Sequence, residues 1–284
     1  MKKTFKYLKC HPKNKSYKKC LDDKTIKLMK YIWNKRHPDD KIKPTNTNTI
    51  WNQLKNKFSN SCSNEICWID NTINNYNYKY NLKNKLFAPI APEEWNSTDK
   101  HSEWLSSVDI SKVLKQYEQT YPTFSFIGPS PIDYDSPNRY NNESICVWPE
   151  LCHFDLNKYL NKEIIGFVFN TDKHYQPGTH WISLVVDLKR NKIFYFDSAG
   201  NDPPNKIKKL IQNIKNQGAN LNIDFKIDNN VGNPHQQKDG ECGMYSLYFI
   251  INIVENKKSL NYFKHKKVPD KLVKRFRNIY FNRL

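Results

Sequence analysis

Cys242, His180, Asp197 and Gln236 are residue types that together can cleave an amide through a thiol. Such a reaction needs a thiolate, a base to take its proton, and a group that orients the base. Cys242 follows Gly240 and Glu241 and precedes an apolar run, Met244 to Val254, whose length favours a buried helix over a strand. A helix N-terminus offers free backbone N–H groups and the positive end of the helix dipole, which favour first a thiolate and then an oxyanion. Gly240 and Gly243 leave room for a substrate backbone, and Gln236 adds a side-chain N–H donor if the intervening loop folds back. Histidine shuttles protons near neutral pH, and His180 stands at the start of a strand pattern. Asp197, at the end of the next, would accept the second ring N–H and fix the tautomer. Singly, each residue also has an ordinary reading: a core cysteine, a surface histidine, a turn-capping Asp197-Ser198.

The elements around these residues decide whether they can meet. His180 to Asp187 and Lys192 to Asp197 read as two strands joined through Leu188-Lys189-Arg190-Asn191. A turn at Lys189-Arg190 sets Ile182 opposite Asp197 and His180 opposite Ala199, so His180 and Asp197 share a face as diagonal neighbours. One residue more or less in the turn would reverse that facing. Glu163 to Asn170 reads as a buried strand and Leu221 to Ile227 as another. A helix capped by Ser107 would bury Ile110, Val113, Leu114 and Tyr117. A second, opened by Pro203-Pro204, carries Ile207, Leu210, Ile211 and Ile214 to a stop near Gly218. Lys266 to Leu284 ends the chain with helical spacing, and Gly128 to Tyr140, with Pro129, Pro131 and Pro137, is expected to be largely loop. The mixture predicts an α+β fold.

Upstream, Ile26, Met29, Ile32 and Trp33 recur at helical spacing, and Ile50, Leu54 and Phe58 lie four apart on a second helix. Ser59 to Ser63 and Asn71 to Lys85 are polar and poor in periodicity, so a small helical domain is expected over residues 1–80 and a second domain over 81–284. The formal net charge is +18, from 46 basic and 28 acidic side chains. Residues 1–80 hold 18 basic and 6 acidic side chains, a surplus of 12, which favours DNA or an acidic scaffold as a partner of that domain; a solvated Lys-rich surface is the plain alternative. The seven cysteines (10, 20, 62, 67, 146, 152 and 242) lack the close pairs of a zinc site and are expected to be reduced thiols, with no metal or cofactor. The basic start lacks a signal-peptide core and no apolar stretch reaches 18 residues, so a soluble intracellular protein without a membrane span is expected.

Four stretches resemble the Ulp1/adenain-like (papain-like) cysteine protease superfamily, which includes the SUMO-specific and adenovirus proteases. They are Trp104-Leu105-Ser106-Ser107-Val108-Asp109-Ile110, Thr179-His180-Trp181, Phe194-Tyr195-Phe196-Asp197-Ser198 and Gln236 through Tyr245. Their order and the gaps of 17 residues from His180 to Asp197 and six from Gln236 to Cys242 match the family. The resemblance implies His180 as base, Asp197 as its orienter, Gln236 as oxyanion donor and Cys242 as nucleophile. It also implies Trp104 and Trp181 as a flat clamp that admits Gly-Gly before the cut, with packing in the core as the alternative for both tryptophans. Ile50-Trp51-Asn52-Gln53-Leu54 and the Cys62 to Trp68 region resemble the extension of the African swine fever virus-type polyprotein-processing proteases of large DNA viruses. The resemblance thus implies cleavage of a structural polyprotein during virion maturation, in the host cytoplasm (virus factory) and virion. The rivals are a SUMO or ubiquitin-like deconjugating isopeptidase, with the same catalytic groups, and a binding protein for nucleic acid or a scaffold, against which the absence of a recognition signature counts.

Overall fold

A computed structural model describes residues 2–16, 19–96, 104–137 and 146–284. Two compact units divide the chain, Met1–Ile90 with Ile279–Leu284, and Ala91–Asn278. In the first, α1 (Asp23–Arg36), α2 (Thr47–Lys57), α3 (Glu65–Thr72) and α4 (Tyr76–Leu86) each begin at a side-chain cap. Asp22, Asn46, Asn64 and Asn75 accept the first-turn N–H groups that would otherwise lack partners. Ile26, Met29, Ile50, Leu54, Trp68 and Ile69 form their shared core. Glu65 is buried, and its carboxylate accepts from the Cys20 and Leu21 N–H groups and from Trp51 Nε1, the last at 2.6 Å.

Asn71 to Lys85, expected to be irregular, is mostly α4. Its buried Leu82 and Leu86 lie one turn apart, but the exposed Tyr76, Tyr78 and Tyr80 obscure that stripe in the sequence. The expected domain end near residue 80 therefore falls inside a helix, and the unit continues to Ile90. It also takes in the C-terminus: the Asn282 N–H donates to the Pro89 carbonyl at 2.7 Å, and its side-chain amide donates to the carbonyls of Lys9 and Ala88. Six of the seven cysteines form disulfides, Cys10–Cys20, Cys62–Cys67 and Cys146–Cys152, which corrects the expectation of reduced thiols for all but Cys242. Cys146, Cys152 and His153 also bring ligand-type atoms within 4.8 Å of one another, a grouping not anticipated from spacing.

The second unit is built on a sheet. Its elements run α5 (Ser107–Thr120), β1 (Phe124–Pro131), α6 (Pro149–Cys152), β2 (Ile164–Asn170), β3 (Trp181–Asp187), β4 (Lys192–Phe196), α7 (Asn205–Asn220), β5 (Lys226–Asn229), α8 (Cys242–Val254), α9 (Leu260–His265) and α10 (Asp270–Tyr280), whose last two residues belong to the first unit. The strands lie in the order β1-β2-β3-β4-β5. The two outer pairs are parallel, and β2-β3 and β3-β4 are antiparallel. Helix α8 packs on β2 and β3 and is buried from Cys242 to Ile253, as its strongly apolar sequence requires.

The hairpin has the expected register, with Ser183 opposite Phe196 and Asp187 opposite Lys192 around residues 188–191. The proline-rich segment departs from expectation: residues 128–131 belong to β1, and 138–140 lie outside the described residues. β1 is an edge strand, where prolines lacking an N–H are tolerated, and its register breaks between Ile127 and Ser130 around Gly128-Pro129. The cap of α5 is Ser106 rather than Ser107, in a reciprocal capping box with Asp109. Only the end of the expected strand at Leu221 to Ile227 pairs; α7 runs to Asn220, Asn222 turns the chain at φ 59°, and β5 starts where the Lys226 N–H meets the Asn191 carbonyl. Among the described residues, no helix is long and apolar enough to cross a membrane.

Candidate active site

Cys242 is the first residue of α8, 5% exposed and the one cysteine outside a disulfide. Gly240, at φ +98°, turns the chain into the helix in a conformation that L side chains rarely adopt. His180 sits immediately before β3. Its Nε2–H donates to Asp197 Oδ1 at 2.6 Å, and the Cys242 sulfur is near enough to raise the imidazole pKa. The ring and the carboxylate thus have the arrangement of a base and its orienter. Burial by itself pushes the imidazole pKa down, but the hydrogen bonds and negative charge of Asp197 and Cys242 override it and hold the group up at about 10.

Asp197 is almost wholly buried, and its environment keeps it pointing at the histidine. Oδ1 accepts the Ala199 N–H at 2.8 Å and Oδ2 the Asn201 N–H at 3.3 Å. Asn230 grips its main chain on both sides: Asn230 Oδ1 accepts the Asp197 N–H at 2.9 Å, and Nδ2 donates to the Asp197 carbonyl at 2.7 Å. Asn230 is absent from the sequence-derived set because asparagines are abundant and nothing local ties residue 230 to residue 197.

Gln236 is brought beside the Asp197 turn. Ser198 Oγ donates to Gln236 Oε1 at 2.8 Å, and the Ser198 carbonyl accepts the N–H groups of His235 and Gln236. With its oxygen engaged, the amide nitrogen faces the other way; one N–H goes to the Lys238 carbonyl at 2.7 Å, and an amide has two to give.

Trp104 and Trp181 line one groove of about 620 Å³, together with Pro129, Trp148, His174 and Pro177. Trp181 is pinned by its Nε1–H, which donates to the Leu105 carbonyl at 2.9 Å, whereas Trp104 is 42% exposed and lies over Gly240. At Gly243, expected to leave room for a substrate backbone, the direction that a side chain would take is filled by Leu105 and Trp181. A Cβ there would stand 3.0 Å from Leu105 Cβ and 3.2 Å from Trp181 Cδ1, so its bare backbone lets the Trp181 indole seat.

A family model described as Ulp1 protease family, C-terminal catalytic domain, matches residues 153–283, which include His180, Asp197, Gln236 and Cys242. The chain is 32% identical over 237 residues to a protein of Acanthamoeba polyphaga mimivirus that is named as a thiol protease; the match covers 81% of this chain and 72% of that protein. It is also 32% identical over 186 residues to a cysteine protease of African swine fever virus, strain Badajoz 1971, across 62% of this chain and 67% of that protein. The protein matched to the same extent in the Warthog/Namibia/Wart80/1980 isolate is named a SUMO-1 cysteine protease. The crystal structure of an African swine fever virus protease shares the fold, with a TM-score of 0.69 over 99% of this chain and 98% of that one at 21% identity.

Proposed function

Because this chain belongs to the Ulp1 family of cysteine proteases, we propose that it cleaves a viral structural polyprotein after Gly-Gly during virion maturation, in the host cytoplasm and the virion. The observation that carries the catalytic assignment is the hydrogen bond of His180 to the buried Asp197, with the Cys242 thiol near enough to raise the imidazole pKa. His180 takes the thiol proton and Asp197 steadies the imidazolium. The Cys242 sulfur adds to the carbonyl carbon of the scissile bond, and the carbonyl oxygen becomes negative. The Cys242 backbone N–H, at the start of α8, and the Gln236 amide donate to that oxygen. Collapse of the adduct breaks the C–N bond as His180 returns its proton to the leaving amine. Water, deprotonated by the same imidazole, then hydrolyses the thioester and frees the enzyme.

Specificity is assigned to the groove. Trp104 lies against Gly240 and Trp181 against Gly243, and both line the groove; to these two indoles we assign the exclusion of a substrate Cβ before the cut. The African swine fever virus protease of the Badajoz strain, which this chain resembles over 186 residues, supports a viral setting. The same groups would serve deconjugation of a SUMO-like modifier, the reading that the name of the Namibian isolate's protease favours. The excess positive charge of residues 1–80 supports contact of the N-terminal unit with DNA or an acidic scaffold. The deciding experiment incubates wild type and Cys242→Ala with candidate virion precursors and, separately, with SUMO and ubiquitin conjugates, reading new N-termini by mass spectrometry. Precursor cleavage after Gly-Gly by the wild type alone supports the proposal; cleavage of conjugates alone replaces it with deconjugation.

A further inference from the structure

Gln236 and Cys242 bound a seven-residue stretch that enters no helix or strand until Cys242 itself. Two donors at its ends have to converge on one oxygen, and a displacement of about 1 Å can lower a rate by roughly a hundredfold. Something outside the stretch must therefore hold it. Helix α10 reaches it twice.

At the first turn of α10, the Asp270 carboxylate accepts the backbone N–H of Gln237 at 3.2 Å and of Lys238 at 3.1 Å. The same carboxylate accepts the Tyr245 hydroxyl at 2.8 Å, and Tyr245 stands three residues beyond Cys242 on α8. Burial and the neighbouring Asp270 carboxylate push the Tyr245 pKa up, so its hydroxyl remains a donor. Two turns further along α10, Arg277 is 1% exposed. Its Nε and Nη2 donate to Glu241 Oε2 at 3.0 and 2.8 Å, and Nη2 also donates to the Gly240 carbonyl at 3.3 Å. The guanidinium lies over the Trp95 ring, 4.4 Å from its centroid. Residues seven apart share a helix face, so one face of α10 ties both ends of the stretch that carries the oxyanion donors.

We propose that Asp270 and Arg277 are positioning residues for the oxyanion hole: through Gln237, Lys238, Gly240 and Glu241 they hold the Gln236 amide and the Cys242 N–H on a common target. The proposal rests on the oxyanion role assigned to Gln236 above. Neither side chain touches substrate or moves a proton. A merely structural role would lower stability and the yield of folded enzyme; a positioning role lowers turnover in enzyme that is fully folded.

The test uses the full chain and an acyl-Gly-Gly aminomethylcoumarin peptide, with Gln236→Ala, Asp270→Asn, Asp270→Ala, Glu241→Gln and the double variant Gln236→Ala/Asp270→Ala. Circular dichroism and a thermal melt establish that each variant is folded. Asp270→Ala is expected to lower kcat roughly 10- to 100-fold, with KM within about twofold. Asp270→Asn, which keeps one acceptor oxygen, and Glu241→Gln, which loses its charge but not its shape, should fall between it and wild type. Alkylation of Cys242 by iodoacetamide needs the thiol and His180 but no oxyanion donor, so its rate should stay within about twofold of wild type. In the Gln236→Ala background the Asp270→Ala loss should shrink to about twofold, because its client is gone. Folded Asp270 variants with wild-type kcat, an alkylation rate that falls in parallel with kcat, or full additivity with Gln236→Ala would each overturn the proposal. Gln236→Ala at the wild-type rate would overturn the oxyanion reading itself, and this proposal with it.

Discussion

The His180 imidazole sets the pH range of the site. His180 is held at about 10 against an ordinary 6.5, so the charged imidazolium contributes stability that is fully present below about pH 6.5 and is lost as pH rises through about 10. The alkaline limb of kcat/KM should accordingly lie well above pH 7. Asp197→Asn removes the main source of the upward shift and should move that limb toward neutrality; a limb that stays in place would show that Asp197 does not govern the ring. Cys242→Ala should abolish peptide hydrolysis in enzyme that remains folded. Gln236→Ala should lower kcat by roughly a hundredfold or more, the usual cost of one oxyanion donor at about 3 kcal/mol, with little change in KM. The same change read through KM would reassign Gln236 to substrate binding.

At the scale of elements, α8 and β3 meet through Gly243 and Trp181, and this contact sets the inner wall of the groove. Gly243→Ala puts a methyl 3.0 Å from Leu105 Cβ, and the overpacking should displace Trp181, costing about 1 to 3 kcal/mol. Peptides ending in Gly-Gly, Gly-Ala and Ala-Gly before the cut test the wall directly. Wild type should prefer Gly-Gly over Gly-Ala at least severalfold in kcat/KM, and Trp181→Ala should narrow the preference while lowering overall activity. Equal wild-type rates on all three peptides would return both tryptophans to a packing role. The α5 capping box is a separate matter of stability: Ser106→Ala removes a first-turn partner and should cost about 1 kcal/mol on denaturant unfolding.

For the molecule as a whole, the cysteine pairing separates chemistry from structure. With six cysteines in disulfides, a thiol reagent should find one reactive group per unreduced chain, Cys242, and seven after denaturation with reductant. More than one thiol in the unreduced, unfolded chain would refute the pairing. All three bridges join cysteines close in sequence, 10, 5 and 6 positions apart, so each constrains little of the unfolded chain and cleavage should cost less than breaking a long-loop bridge. The charge surplus of residues 1–80 predicts salt-sensitive binding to DNA: the affinity should fall linearly with the logarithm of salt concentration if phosphates are being neutralised. Binding that ignores salt would point to a packed protein partner instead.

Local chemistry decides what a sequence can disclose unaided. The hairpin register follows from a turn and a period of two, so the meeting of His180 with Asp197 was legible before any coordinates. The apolar length of Met244 to Val254 likewise placed Cys242 at a helix start. Helix α4 and strand β1 were not legible, because surface tyrosines hid one stripe and edge-strand prolines imitated a loop. The six paired cysteines, the grip of Asn230 on Asp197, and the ties from Asp270 and Arg277 to the oxyanion stretch join residues through space. None follows from a periodicity, since each depends on where separate elements pack. Spacing along the chain determined which groups could react; only the tertiary structure decided what holds them still, because the supporting bonds come from side chains 30 or more residues away, as with Asn230 and Asp197.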